Sequence, residues 1–246
     1  MNDVIQATVA DEILQRREAS RSIALMSSQQ SLTATQSAER SLIHRTQAVR
    51  PEVDAFRELR TRLLATSDVN FVTLVAPVSR GCGGSFTARN LAAAFALDDS
   101  KSALLIDCDL RHPSQHLTLR IDAKHGGLID YLEDPARDIA SILYDTGAAR
   151  LRLIPTGKSR ETVAEYFSSR RMQLLVDSLR SRYPDRYLFL DGPPVSSGPD
   201  ARILSDLADA VVLVAGYGCD TPATIAQAGA SFDPAKFAGV VFNQGV

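Results

Sequence analysis

The chain is most informative for what it lacks. Its 246 residues contain three cysteines, Cys82, Cys108 and Cys219. They are odd in number and widely spaced, which excludes a disulfide framework. Lysine plus arginine total 27 and aspartate plus glutamate 29, a formal net charge of −2. There is no overall basic field, so nucleic acid is not an expected partner. No apolar run approaches the ~18 residues of a membrane span. The opening Met1-Asn2-Asp3-Val4-Ile5 has neither the basic start nor the apolar core of a secretory signal, and the chain reads as cytoplasmic. The four histidines form no convincing ligand set, since Pro113 interrupts the His112/His116 spacing. No internal repeat is evident. The last absence is local: a glycine loop at 79–85 that resembles a phosphate cradle carries no lysine.

What is present is an alternation of strands and helices. Near-continuous apolar runs predict strands at 71–76, 103–107, 151–155, 187–191, 210–215 and 238–242. Helical patterns fall at 85–97, 126–133, 170–182, 200–207 and 221–230, with another from Pro51 to Ala65. Strands apolar on both faces belong in a covered parallel sheet. The expected fold is α/β: a doubly wound, mostly parallel sheet with helices on both faces, of P-loop NTPase type on account of the glycine loop at 79–85. Residues 3–18 suggest a short helix. Residues 19–48, rich in Ser, Thr and Gln, read as a flexible linker. The expected division is therefore 1–48, then an α/β domain over 49–246.

Three strand ends carry groups suited to a magnesium nucleotide. After Phe71–Val75 comes Ser79-Arg80-Gly81-Cys82-Gly83-Gly84-Ser85, and then a helix. Backbone N–H groups of such a loop, with the helix N-terminus, favour phosphate. Ser85 can offer its hydroxyl to Mg²⁺. The run Leu104-Leu105-Ile106 ends on Asp107-Cys108-Asp109-Leu110-Arg111, and Leu188-Phe189-Leu190 ends on Asp191-Gly192-Pro193-Pro194. Acidic groups at the carboxyl ends of strands lie where open α/β sheets bind ligands. Taken singly, each segment is no more than a capped turn. Together they point to one site, with Asp107 and Asp191 toward Mg²⁺ and Arg111 toward Asp109 or a phosphate.

These segments resemble the bacterial tyrosine kinases of capsule and exopolysaccharide synthesis, relatives of the partitioning and division-site ATPases. Asp107-Cys108-Asp109-Leu110-Arg111-His112-Pro113-Ser114 is similar to that family's second acidic box, and Leu188 through Pro194 to its Walker B box. Gly127–Leu132, Leu153–Gly157, Phe167–Met172, Ala208–Val214 and Gly239–Asn243 are similar to further family segments. The likeness covers about residues 50–243. It implies catalytic roles for Asp107, Asp109 and Asp191 and Mg²⁺ ligation by Ser85, Asp107 and Asp191. It implies nucleotide binding by Gly81, Cys82, Gly83, Gly84, Ser85, Phe86 and Asn243, and Mg-ATP or Mg-ADP as cofactor. The helix bearing Asp54, Arg57 and Arg60 is similar to the family's Glu-x-x-Arg-x-x-Arg assembly motif, with Asp for Glu. That implies a homo-oligomer at the inner face of the cell membrane, held there by a membrane-spanning polysaccharide co-polymerase or chain-length protein.

The chain departs from the family at two points. Gly84 stands where the phosphate-loop lysine is expected, and Ser79 where partitioning ATPases place a second lysine. A charge-assisted hydrogen bond contributes about 1.5–3 kcal/mol, and one lost preorganised donor costs on the order of 10²–10³ in rate. Arg80 is a candidate substitute of different geometry. The family's tyrosine-rich tail is also absent: Tyr131, Tyr144, Tyr166, Tyr183, Tyr187 and Tyr217 are scattered through the domain. The expectation is a family member whose phosphoryl transfer is lost or weak. The alternatives are an active kinase or ATPase with a noncanonical loop, and a partitioning-type ATPase.

Overall fold

The computed structural model describes residues 32–44, 51–160 and 164–243. The proposed 3–18 helix lies outside them. In chain order the elements are α1 (Ala34–Glu39), α2 (Pro51–Leu64), β1 (Val72–Pro77), α3 (Gly84–Ala96), β2 (Ser102–Asp107), α4 (Gln115–Thr118) and α5 (Leu128–Glu133). They continue with β3 (Tyr144–Asp145), β4 (Leu151–Ile154), α6 (Ala164–Phe167), α7 (Arg170–Arg182), β5 (Arg186–Asp191), α8 (Asp200–Ser205), β6 (Ala210–Gly216), α9 (Pro222–Gly229) and β7 (Phe237–Asn243). The six expected strands and the longer helices form within a residue or two of their sequence bounds.

The strands join in one sheet of order β3-β4-β2-β5-β1-β6-β7. All neighbours are parallel except β3 with β4. The strand alternation divides the core between the two faces. Leu74, Leu104, Ile106, Leu188, Leu190, Val211 and Leu213 pack with Met172, Leu175 and Leu204 of α7 and α8 on one face. Val75, Ala103, Leu105, Phe189, Val212 and Val214 meet α3 on the other, where Leu91, Ala92 and Phe95 are fully buried. An aromatic group anchors α3 there: Phe95 lies 5.9 Å from Phe71, 4.8 Å from Tyr187 and 5.0 Å from Phe189 between ring centroids. The edge-to-face pairs of Phe95 with Phe71 and Phe189 add about 0.5–1.5 kcal/mol each beyond their buried area.

Residues 32–44 correct the reading of 19–48 as linker throughout. Thr33 and Gln36 form a reciprocal capping box that starts α1. Leu42 is buried among the apolar side chains of the α3 face. Ser41 and Ile43 are held by Asn90 of α3, whose Nδ2 donates to Ser41 O (2.9 Å) and whose Oδ1 accepts from Ile43 N (2.8 Å). Arg40 donates to Thr146 O at 2.7 Å. A polar composition concealed one buried leucine, a cap and a set of hydrogen bonds to the backbone, which together dock so short a segment.

Leu42 tests this docking. Leu42→Ala should lower unfolding free energy by about 2–4 kcal/mol with an unchanged urea slope. An effect below about 0.5 kcal/mol would mean that this segment is not part of the core.

Candidate nucleotide site

Strand order brings the sequence signals together. β5 lies between β2 and β1, so the acidic ends of β2 and β5 and the loop that follows β1 share one sheet edge. Asp107 and Asp191 are register partners, and Val75 of β1 is paired with Asp191. Both aspartates are fully buried.

Their surroundings differ. The Asp107 carboxylate accepts backbone N–H from Asp109 (3.3 Å), Ser114 (3.1 Å) and Gln115 (3.0 Å), which folds the loop after β2 around it. On Asp191, Oδ2 accepts Gln115 Nε2 at 2.6 Å, while Oδ1 is buried without a partner. Gln115 Nε2 also donates to Ser85 O at 2.9 Å. One amide thus joins the start of α3 to the end of β5. Arg89, on the next turn of α3, donates to Gln115 Oε1 at 3.0 Å and is itself buried.

Burial raises the Asp107 carboxyl to about 6, opposed by the N–H groups of Gln115 and Ser114. Burial and then the Asp107 charge raise Asp191 further, to about 8, opposed by the Gln115 amide and the Ser85 hydroxyl. Burial lowers the Arg89 guanidinium to about 10, with the charge of Asp191 acting the other way.

The glycine loop is anchored from the far side of the sheet. Gly83 is the N-cap of α3 with φ 84°, a left-handed conformation that favours glycine. Asn243 Nδ2, at the end of β7, donates to Cys82 O at 3.1 Å and occupies the space a Gly83 side chain would need. Asp220, in the loop between β6 and α9, accepts from Ser79 Oγ (2.5 Å), Cys82 Sγ (2.8 Å) and Gly216 N (2.9 Å). Burial and the bond to Asp220 push the Cys82 thiol up.

The structure brings together Gly81 through Ser85, Asp107, Asp191 and Asn243. Asp109 stands at the rim and accepts from His112 N at 3.1 Å. Arg111 pairs with Asp200 at 3.1 Å rather than with Asp109. Arg80 is exposed on the loop. Phe86 turns toward α2, its ring 6.0 Å from that of Phe56. On α2, Asp54 and Arg57 form an exposed pair at 3.1 Å. Arg60 donates inward to Ala94 O at 2.9 Å, near the C-terminus of α3, where a cation is favoured.

Gln115, Arg89 and Asp220 were not singled out from sequence. Gln115 follows directly on the recognisable Asp107–Ser114 box, the one local signal for it. Asp220 reads as a helix-start residue ahead of Thr221-Pro222. A wide groove of about 870 Å³ lies beyond β4, lined in part by His116, Lys124, Asp130 and Lys158. Its lysines pair with acids of the lining, Lys124 with Asp122 and Lys158 with Asp130, and Lys158 also reaches Glu133 outside it.

A glycine loop after the interior β1, at the same sheet edge as the acidic ends of β2 and β5 in a mostly parallel sheet, defines a P-loop NTPase-type α/β protein. Solved structures agree. The chimerical protein CapA2B2 matches with TM-score 0.74 and 26% identity over 83% of this chain and 89% of that one. The septum site-determining protein MinD of Pyrococcus horikoshii, complexed with Mg-ADP, shares the fold with TM-score 0.56 and 20% identity over 70% and 68% of the two chains. Tyrosine-protein kinase YwqD of Bacillus subtilis is 30% identical over 182 residues, 73% of this chain and 75% of its own length. Tyrosine-protein kinase CpsD of Streptococcus agalactiae is 26% identical over 191 residues, 77% of this chain and 82% of its own. Tyrosine-protein kinase wzc of Salmonella typhimurium is 32% identical over 195 residues, 78% of this chain but 26% of that longer protein. The chain belongs to the bacterial tyrosine-protein kinase family. No protein-family model matches it.

The buried aspartate pair sets a pH dependence. A carboxyl raised in the folded state above its ordinary value near 4 holds its proton longer there than in the unfolded chain. Its contribution is complete below that ordinary value and is lost as pH rises through about 6 for Asp107 and about 8 for Asp191. In Mg²⁺-free buffer the urea midpoint should fall between pH 5 and pH 8.5, and Asp191→Asn should flatten the upper part of that fall. An identical slope in the variant would remove Asp191 as the cause.

Proposed function

We propose that the chain is a kinase-like, nucleotide-binding component of a bacterial exopolysaccharide or capsule machine, with phosphoryl transfer lost or weak. One observation carries this reading. Gly84 occupies the lysine position in a loop that otherwise adjoins two buried strand-end aspartates. Backbone N–H groups and the start of α3 supply phosphate binding of an uncharged kind. The partnerless Asp191 Oδ1 and the Ser85 hydroxyl suit Mg²⁺, a hard cation that takes oxygen ligands. Bound Mg²⁺ would neutralise phosphate charge. Asp107 would act mainly by holding the loop over 109–115, with Asp109 at the rim toward the nucleotide. The charge a lysine adds at the transferring phosphoryl group is missing, and that donor acts chiefly on the transition state.

The cellular setting is drawn from the family. No helix among the described residues is long and apolar enough to cross a membrane. In wzc the matching region is a minor part of a much longer protein. This supports a cytoplasmic subunit brought to the membrane by a separate spanning co-polymerase or chain-length protein. The exposed Asp54–Arg57 pair on α2 is the proposed contact between subunits of a homo-oligomer, with Arg60 fixing that helix to α3.

A second reading is an active kinase or ATPase with a noncanonical loop, and Arg89 favours it. Its buried guanidinium reaches Asp191 through Gln115 and places a cation one helical turn beyond Ser85.

One measurement tests the nucleotide binding that both readings share, and a second separates them. Millimolar Mg-ATP should raise the melting temperature, because ligand at a hundredfold its Kd stabilises by about 2.7 kcal/mol. No shift would remove nucleotide binding from both readings. Purified protein with Mg-ATP should transfer little phosphate to tyrosine. Robust transfer that is lost in Asp107→Ala would establish the active alternative.

A further inference from the structure

Gly84 is the first residue of α3 and is buried. A Cβ built on it would lie 2.8 Å from both Cγ and Cδ of Pro77 and 3.0 Å from its Cβ. These are ring atoms tied back to the main chain, so no rotamer carries them away. Pro77 is itself fixed as the last residue of β1, in parallel register with Val214, and the next N–H, of Val78, donates to Val214 O at 2.8 Å.

The other side of the contact is equally constrained. Gln115 Nε2 holds Ser85 O at 2.9 Å. Thr87 N donates to Gly83 O at 2.9 Å, and Asn243 fills the space beside Gly83. Gly84 has helical backbone rather than a left-handed conformation, so the demand for glycine there is steric alone. It would exclude alanine as firmly as lysine.

We propose that Pro77 and Gly84 are a matched pair: the Pro77 ring fills the space in which a lysine stem would leave α3. The loop is then a rebuilt, lysine-free cradle rather than a lysine loop with one residue lost. Pro77 becomes a determinant of what the site can do, because it blocks return of the missing charge by a single substitution. The effect of this on affinity rests on the nucleotide reading above, whereas the steric pairing does not.

A double-mutant cycle tests the two parts separately. The proteins are the wild type, Pro77→Ser, Gly84→Ala, Gly84→Lys and the two doubles, each measured by urea unfolding and by Mg-ATP titration. Pro77→Ser removes the closed ring and leaves a hydroxyl free to rotate. With Pro77 in place, Gly84→Ala should lower the urea midpoint, although helix propensity alone favours alanine. In the Pro77→Ser background the same change should be neutral or stabilising. Gly84→Lys should follow the same pattern. If it does not fold alone, a folded Pro77→Ser/Gly84→Lys double is itself the expected coupling.

The Pro77→Ser/Gly84→Lys double should bind Mg-ATP at least about tenfold more tightly than the wild type, the effect of one charge-assisted hydrogen bond. Gly84→Lys alone should show no such gain. Equal losses of stability in both backgrounds would overturn the pairing, since independent sites add. So would Gly84→Lys alone matching the affinity of the double. Coupled stabilities with no Mg-ATP binding by any protein would leave the pairing in place and remove the nucleotide reading.

Discussion

Two carboxyl groups buried in register at one sheet edge form the constraint on which the site depends. Parallel pairing of β2 with β5 leaves Asp107 and Asp191 side by side, and two like charges in low dielectric are unfavourable. The protein answers unevenly. Asp107 is surrounded by three backbone N–H groups, whereas Asp191 receives one side-chain amide and keeps an oxygen bare. The loop after β2, the start of α3 and the buried Arg89 are all arranged through Gln115, which touches each of them. In a nucleotide-binding reading, the bare oxygen is the point at which the strain of the pair and the affinity for a cation become the same quantity.

Much of the fold was legible because the sheet is parallel and covered on both faces. Strands such as Leu104–Ile106 and Leu188–Leu190 are apolar throughout, and their ends are marked by aspartates. The α1 segment was hidden because a capping box and Leu42 leave little trace in a run of Ser, Thr and Gln. β3 was missed because Tyr144 and Asp145 form a two-residue antiparallel edge, too short to show any period.

The site was legible only in part, for a related reason. Residues on the end of a hydrophobic strand announce themselves, as Asp107 and Asp191 do. Residues that act by reaching across do not: Gln115 reaches Asp191 over 76 positions and Asp220 reaches Cys82 over 138. The collision between Gly84 and Pro77 was equally invisible, since a glycine in a glycine loop looks like flexibility. The family likeness implied catalytic and assembly roles, and the geometry shows where the residues named for them lie. It sets Asp54 and Arg57 outward while committing Arg60 to the end of α3.

The bond from Asn243 to Cys82 has a consequence for the order of synthesis. The glycine loop leaves the ribosome early, but the side chain that closes over it follows 161 residues later. Both sheet neighbours of β1, β5 and β6, also follow α3 in the chain, and domains generally fold as units, so the cradle stays open until the late strands arrive. The loop acquires its final outline only when β7 is laid beside β6. Nascent, incomplete chains therefore cannot present the finished pocket, and any ligand that needs it meets only chains whose sheet is whole.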